Sequence, residues 1–294
     1  LAVGFFLLAG VTYVLVVLGA LVRANGAGLA CPDWPLCFGQ VIPEFDVKVG
    51  FEWGHRVLAG SVGLVFIALS AFALRPPALR GLMRTPLLIA ATLLAVQVVL
   101  GGLTVLQLLA SWTVTSHLVT GNAFALSLVL LARRLTRLSS AAQPTPPLEP
   151  AGRLLTTLAG GLLFIQIVLG GLVSSNYAGL VCPDWPTCMN GEFVPTWSGI
   201  QGLQIFHRAV GYSVVLSLIA AAWITRHHSI LGRWLPLAAF GAIAQVAVGV
   251  ANVLLRLPVE ITALHSALAA ALVCTVGISV REAWRPASPQ PAPQ

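Results

Sequence analysis

The chain has 294 residues, 57% of them hydrophobic and 9% charged, with a formal net charge of +7. A soluble domain carries roughly 25% charged residues, so a soluble globular fold is excluded. Long uncharged apolar runs are those of helices crossing a bilayer, each needing about 20 residues. The excess positive charge sits mostly in short loops between these runs, where it sets membrane orientation and gives no reason to expect a nucleic-acid partner.

In chain order, the apolar runs predict spans near 2–22, 52–74, 86–109, 113–133, 154–173, 202–225, 234–255 and 260–281. The first run continues too long for the hydrophobic region of a signal peptide. Loops after the even-numbered spans, with the segment after the last, carry eleven arginines, among them Arg75, Arg133 and Arg226; the opposite loops hold only Arg23, Lys48 and Arg256. The positive-inside rule then predicts a multi-pass protein of the cell membrane with both termini cytoplasmic. Residues 139–153, rich in Pro, Ser and Ala, read as a cytoplasmic linker, and 286–294 as a disordered tail. The expected organisation is an all-α membrane protein of two four-helix halves, 1–138 and 154–285.

An internal repeat relates the halves. Cys31-Pro32-Asp33-Trp34-Pro35-Leu36-Cys37 returns as Cys182-Pro183-Asp184-Trp185-Pro186-Thr187-Cys188, an offset of 151 residues. His55-Arg56 returns as His207-Arg208, and His117 as His265 at an offset of 148. Leu18-Gly19-Ala20-Leu21-Val22 matches Leu169-Gly170-Gly171-Leu172-Val173, and the Gln97–Gly101 stretch matches Gln245–Gly249. An even number of spans per half gives both halves the same orientation, so a pseudo-twofold axis along the membrane normal is expected. Glycine-rich patches within the spans let helices approach closely.

Four histidines carry the chemical signal: His55 and His117 in the first half, His207 and His265 in the second, each about one turn inside the end of its span that faces the cysteine loops. Ionisable side chains at this depth are unfavourable unless they face a bundle interior with a partner. One such histidine alone reads as a core residue bonded to a carbonyl; two matched pairs do not. No cluster of Cys, Asp or Glu accompanies them, so a zinc or di-iron site lacks ligands. A haem needs only two axial ligands, and histidine commonly supplies them. His227 and His228 read as solvated loop residues.

The halves differ at one telling position. Glu52 lies three residues before His55, on the same helical face, and Gln204 stands in its place before His207. A carboxylate beside a haem ligand can take a proton, orient water or stabilise a cation; it can equally form an i,i+4 ion pair with Arg56. Arg56 and Arg208 are also candidates to neutralise haem propionates, a weaker expectation because they lie about 100° round the helix from the histidines. Facing an oxidising compartment, the paired cysteines suggest two local disulfides. Cys182–Cys188 reads chiefly as a staple, whereas a redox or haem-handling role stays open for Cys31–Cys37. Cys274 reads as a packing residue.

At these motifs the chain resembles the haem A synthase (CtaA) family over nearly its whole length. The resemblance implies oxidation of a methyl group of haem O to a formyl group, through two successive oxidations and loss of water. By motif, it implies His55 and His117 as ligands of the substrate haem iron, Glu52 as the catalytic carboxylate, and His207 and His265 as ligands of a haem b cofactor. Cys31 and Cys37 match the family's outward disulfide; the second pair is missing from some members. Implied partners are haem O, haem O synthase (protohaem farnesyltransferase), membrane lipid and an electron-transfer partner. Two readings compete: a dihaem b-type electron carrier, and a haem transporter or chaperone.

Overall fold

The computed structural model describes residues 1–44, 46–139 and 148–286. Their long helices are α1 (Ala2–Ala24), α2 (Val47–Leu74), α3 (Pro77–Leu106), α4 (Ser111–Ser139), α5 (Pro150–Ser175), α6 (Gly199–Ile224), α7 (Leu231–Leu254) and α8 (Val259–Ala283). All eight are long and apolar enough to cross a membrane, with mean hydropathies from 1.5 to 2.6. The chain is a multi-pass α-helical membrane protein. Most of the expected linker and tail lie outside the described residues.

Three helices outrun their apolar cores. α3 begins at Pro77, nine residues before the predicted start, because proline suits the first helical turn, and Pro86 is accommodated within the helix. α4 continues through Arg133, Arg134 and Arg137, which the hydropathy pattern assigns to the end of the span and the loop beyond it. α2 starts before its apolar run because the Asp46 side chain caps it, accepting a bond from the Val49 N–H at 2.8 Å.

Each half has its own apolar core. In the first, Phe5 and Leu8 of α1, Phe66 of α2, Met83 of α3 and Leu128 of α4 interlock, with Phe66 and Phe124 edge to face at 5.6 Å. In the second, Ala159 of α5, Leu218 of α6, Leu235 of α7 and Val276 of α8 do the same. α1 contacts α8 as α4 contacts α5, a pair of contacts that a twofold exchanges, and α4 meets α8 across that axis. Small residues make this seam: Gly171 lies under Thr115, and Gly277 under Leu126. Both cores fill the end of the bundle far from the cysteine loops, leaving the end near the loops to the histidines.

Candidate functional site

Each of the four histidines sits on the second or fourth helix of its half and lays its Cε1 edge on a glycine of the preceding helix. A methyl group added at Gly19 of α1 would lie 3.1 Å from His55 Cε1, and one at Gly101 of α3 the same distance from His117 Cε1. The second half repeats this with Gly170 and His207 at 3.2 Å, and Gly249 and His265 at 3.0 Å. These are the glycines of the two repeated apolar motifs. A side chain there would press on the imidazole and push it from its seat.

Within each half the two rings lie close enough to interact electrostatically, His55 with His117 and His207 with His265. All four rings are half-buried, and each keeps a sealed Nδ1 with no hydrogen-bond partner. Four such nitrogens call for an explanation, since buried polar groups are nearly always satisfied. The donor set is two imidazoles per half, and no group of three or more His, Cys, Asp or Glu that could hold a metal occurs among the described residues. Paired imidazoles seated on glycine notches, two nitrogen donors per half, fit an iron porphyrin held between helices better than a zinc or di-iron centre.

The halves diverge around this shared frame. Gln97 Nε2 lies 3.2 Å from His117 Nε2, whereas the equivalent Gln245 donates to the backbone carbonyl of His265 at 2.9 Å. Trp34 packs on Gly102, beside the notch for His117, a methyl there lying 3.1 Å from the indole. The repeat puts Val250 at that place in the second half, where Trp185 instead donates to the Tyr212 hydroxyl at 3.0 Å.

Glu52 and Gln204 are both buried, each 4% exposed, but they are bonded differently. Glu52 Oε2 accepts from the Cys31 N–H at 3.0 Å, and Oε1 pairs with Arg56 at 2.5 Å. Gln204 makes one long bond, donating to the Gly179 carbonyl at 3.4 Å, and its Oε1 has no partner. Thus the first half ties its carboxylate to the cysteine loop.

Both cysteine pairs form disulfides, and an arginine latches each loop to its helix. Arg56 donates to the carbonyls of Leu36 at 2.5 Å, Asp33 at 2.7 Å and Cys31 at 3.1 Å. Arg208 repeats this on Cys182 at 2.7 Å, Thr187 at 2.9 Å and Asp184 at 3.0 Å. A haem propionate would have to compete with these bonds. Asp33 completes the first loop by accepting from the Gly39 and Phe38 N–H groups, each at 2.7 Å. Those donors, Gly39 first, hold its carboxyl below its ordinary value. Gly39 has φ +69°, a turn conformation that favours glycine. The latch was readable as an arginine after each histidine, but its carbonyl targets depend on the loop's fold.

Comparison with known proteins agrees with this frame. The family model described as cytochrome oxidase assembly protein (COX15-CtaA) matches residues 3–276. A Shewanella oneidensis protein named Heme A synthase is 30% identical, over 90% of this chain and 91% of its own length. Proteins of the same name from Halalkalibacterium halodurans (30% identical, over 72% of each chain) and Caulobacter vibrioides (28%, over 97% of this chain and 95% of that one) are also similar. The chain belongs to the COX15-CtaA family of cytochrome oxidase assembly proteins.

Proposed function

We propose that this protein is a haem A synthase, oxidising a methyl group of haem O to a formyl group. The observation that carries the reading is the buried carboxylate present in one half only: Glu52, one turn from His55, where the second half has Gln204. In this reading the first half, 1–138, takes haem O between His55 and His117, and Glu52 provides a fixed negative charge and a proton acceptor beside the reacting methyl. Arg56 and the Cys31 N–H hold that carboxylate in place. Trp34 and the stapled loop close the site's outer end against water.

The second half, 154–285, would hold a haem b between His207 and His265, supplying one-electron transfer. Gln204 cannot carry charge there, in keeping with a site that does no chemistry on its ligand. The cysteine loops are assigned to the outer face of the cell membrane and both termini to the cytoplasm, from the arginine asymmetry. Haem O synthase is the source of substrate, and an electron-transfer partner accepts the electrons.

One observation favours a second reading. Both oxygens of Glu52 have protein partners, as a purely structural loop anchor would, and the protein would then be a dihaem electron carrier. Expression with a supply of haem O, followed by extraction of bound porphyrins and separation by mass, decides between them. Formyl-bearing haem A supports the synthase, and haem b alone supports the carrier.

A further inference from the structure

At the end of the bundle far from the cysteine loops, α4 and α8 bring together a cluster that the haem chemistry does not use. Arg133-Arg134-Leu135-Thr136-Arg137 and Arg281-Glu282-Ala283-Trp284-Arg285 are equivalent segments, offset by the same 148 residues as His117 and His265. Because α4 meets α8 across the pseudo-twofold, the repeat gathers Arg133, Arg137, Arg281 and Arg285 around the axis. Only one member of the set is acidic, Glu282, where the first half has Arg134.

Glu282 is 5% exposed. Its Oε1 pairs with Arg137 and with Arg133 at 3.5 Å, and its Oε2 lies 3.9 Å from Arg285. Arg281 and Arg285 are also near enough to act on Arg137 electrostatically. One carboxylate therefore pairs with three guanidinium groups, with Arg281 near the same cluster. Arg133 lies over the Trp234 ring at 5.4 Å, and Trp284 is exposed; tryptophans mark the headgroup level of a bilayer. Partly buried like charges repel unless an anion joins them, and guanidinium presents paired donors matched to phosphate oxygens.

We propose that the end of the α4–α8 seam opposite the cysteine loops is a binding site for a phosphate group, supplied in the membrane by the headgroup of an anionic phospholipid. The phosphate completes the neutralisation that Glu282 begins, and so bridges the two halves at a point remote from the histidines. Basic pockets between spans bind such headgroups, each cationic side chain contributing about 1 kcal/mol.

Native mass spectrometry of the detergent-solubilised full chain tests this, with phosphatidylglycerol, phosphatidylcholine and inorganic phosphate titrated separately. The expected result is a phosphatidylglycerol adduct that survives activation removing phosphatidylcholine. Arg137→Gln with Arg285→Gln should weaken it about 25-fold, and Glu282→Gln should strengthen it about fivefold. Displacement of the lipid by inorganic phosphate would support the phosphate site and make its source soluble; no displacement would assign it to lipid. Equal retention of the two lipids, or weaker retention after Glu282→Gln, overturns the proposal. Should the double arginine variant not fold, Glu282→Gln alone decides.

Discussion

Replacing Gly19 with alanine places a methyl group 3.1 Å from His55 Cε1. Non-bonded carbons settle at about 3.5–4.0 Å, so the ring must retreat by about half an ångström or turn about its Cα–Cβ bond. The helix itself does not suffer, since alanine is about 1 kcal/mol better than glycine in a helix interior. Gly19→Ala should therefore fold with unchanged or slightly higher thermal stability, yet misplace one imidazole. Losing the groups that orient a ligating histidine typically weakens a metal site about 10–100-fold, and a similar loss of haem affinity is expected. The control is Gly10→Ala on the same helix, where an added methyl meets nothing within 4 Å. Haem titration into each purified apoprotein, followed by absorbance and by pyridine haemochrome, measures the difference. Gly170→Ala, 3.2 Å from His207 Cε1, should impair the second half alone. If Gly19→Ala takes up haem as Gly10→Ala does, the notches do not position the histidines for haem.

The arginine latches predict a local effect with little change in the spans. Arg56→Ala leaves three loop carbonyls and Glu52 without their cation; with hydrogen bonds to charged groups contributing about 1.5–3 kcal/mol each, amide exchange across 31–40 should accelerate at least 30-fold. Unchanged protection there would remove the latch from the account. Arg208→Ala should loosen only the second loop, read by the same exchange over 182–192. The Asp33 carboxyl is held below its ordinary 3.8 by the N–H groups of Gly39 and Phe38. With the folded value below the unfolded one, its contribution to loop order is complete above about pH 4 and is lost as pH falls through the lowered value. Protection of those two amides should fall over that range, and Asp33→Asn should remove the pH dependence; a pH-independent protection in the native loop would contradict it.

Much of this architecture was legible in the chain. Apolar runs give all eight helices, because a bilayer demands length and hydropathy that few other structures need. The repeat gives two halves, since matched offsets at Cys31, His55 and His117 cannot arise from composition. What hydropathy hid were the charged helix ends: Arg133, Arg134 and Arg137 read as the span's end and the loop beyond, yet lie on α4 because Glu282 of α8 receives two of them. The role of Gly19, Gly101, Gly170 and Gly249 was half legible. Their repetition marks them as needed, but only the crossing of neighbouring helices reveals that each seats an imidazole. Arg56 shows the same limit: its i,i+4 spacing to Glu52 predicts the ion pair, whereas its three carbonyl partners come from a folded loop about twenty residues away.

The proposed division of labour, chemistry in the half with the acidic side chain and electron transfer in the other, rests on Glu52 and is tested by replacing it with glutamine. Gln204 shows that the fold accepts an amide at this depth, so Glu52→Gln should still assemble and bind haem O. Porphyrins extracted from the variant after expression with haem O should contain haem O and haem b but no haem A. Haem A at the wild-type level would contradict the account.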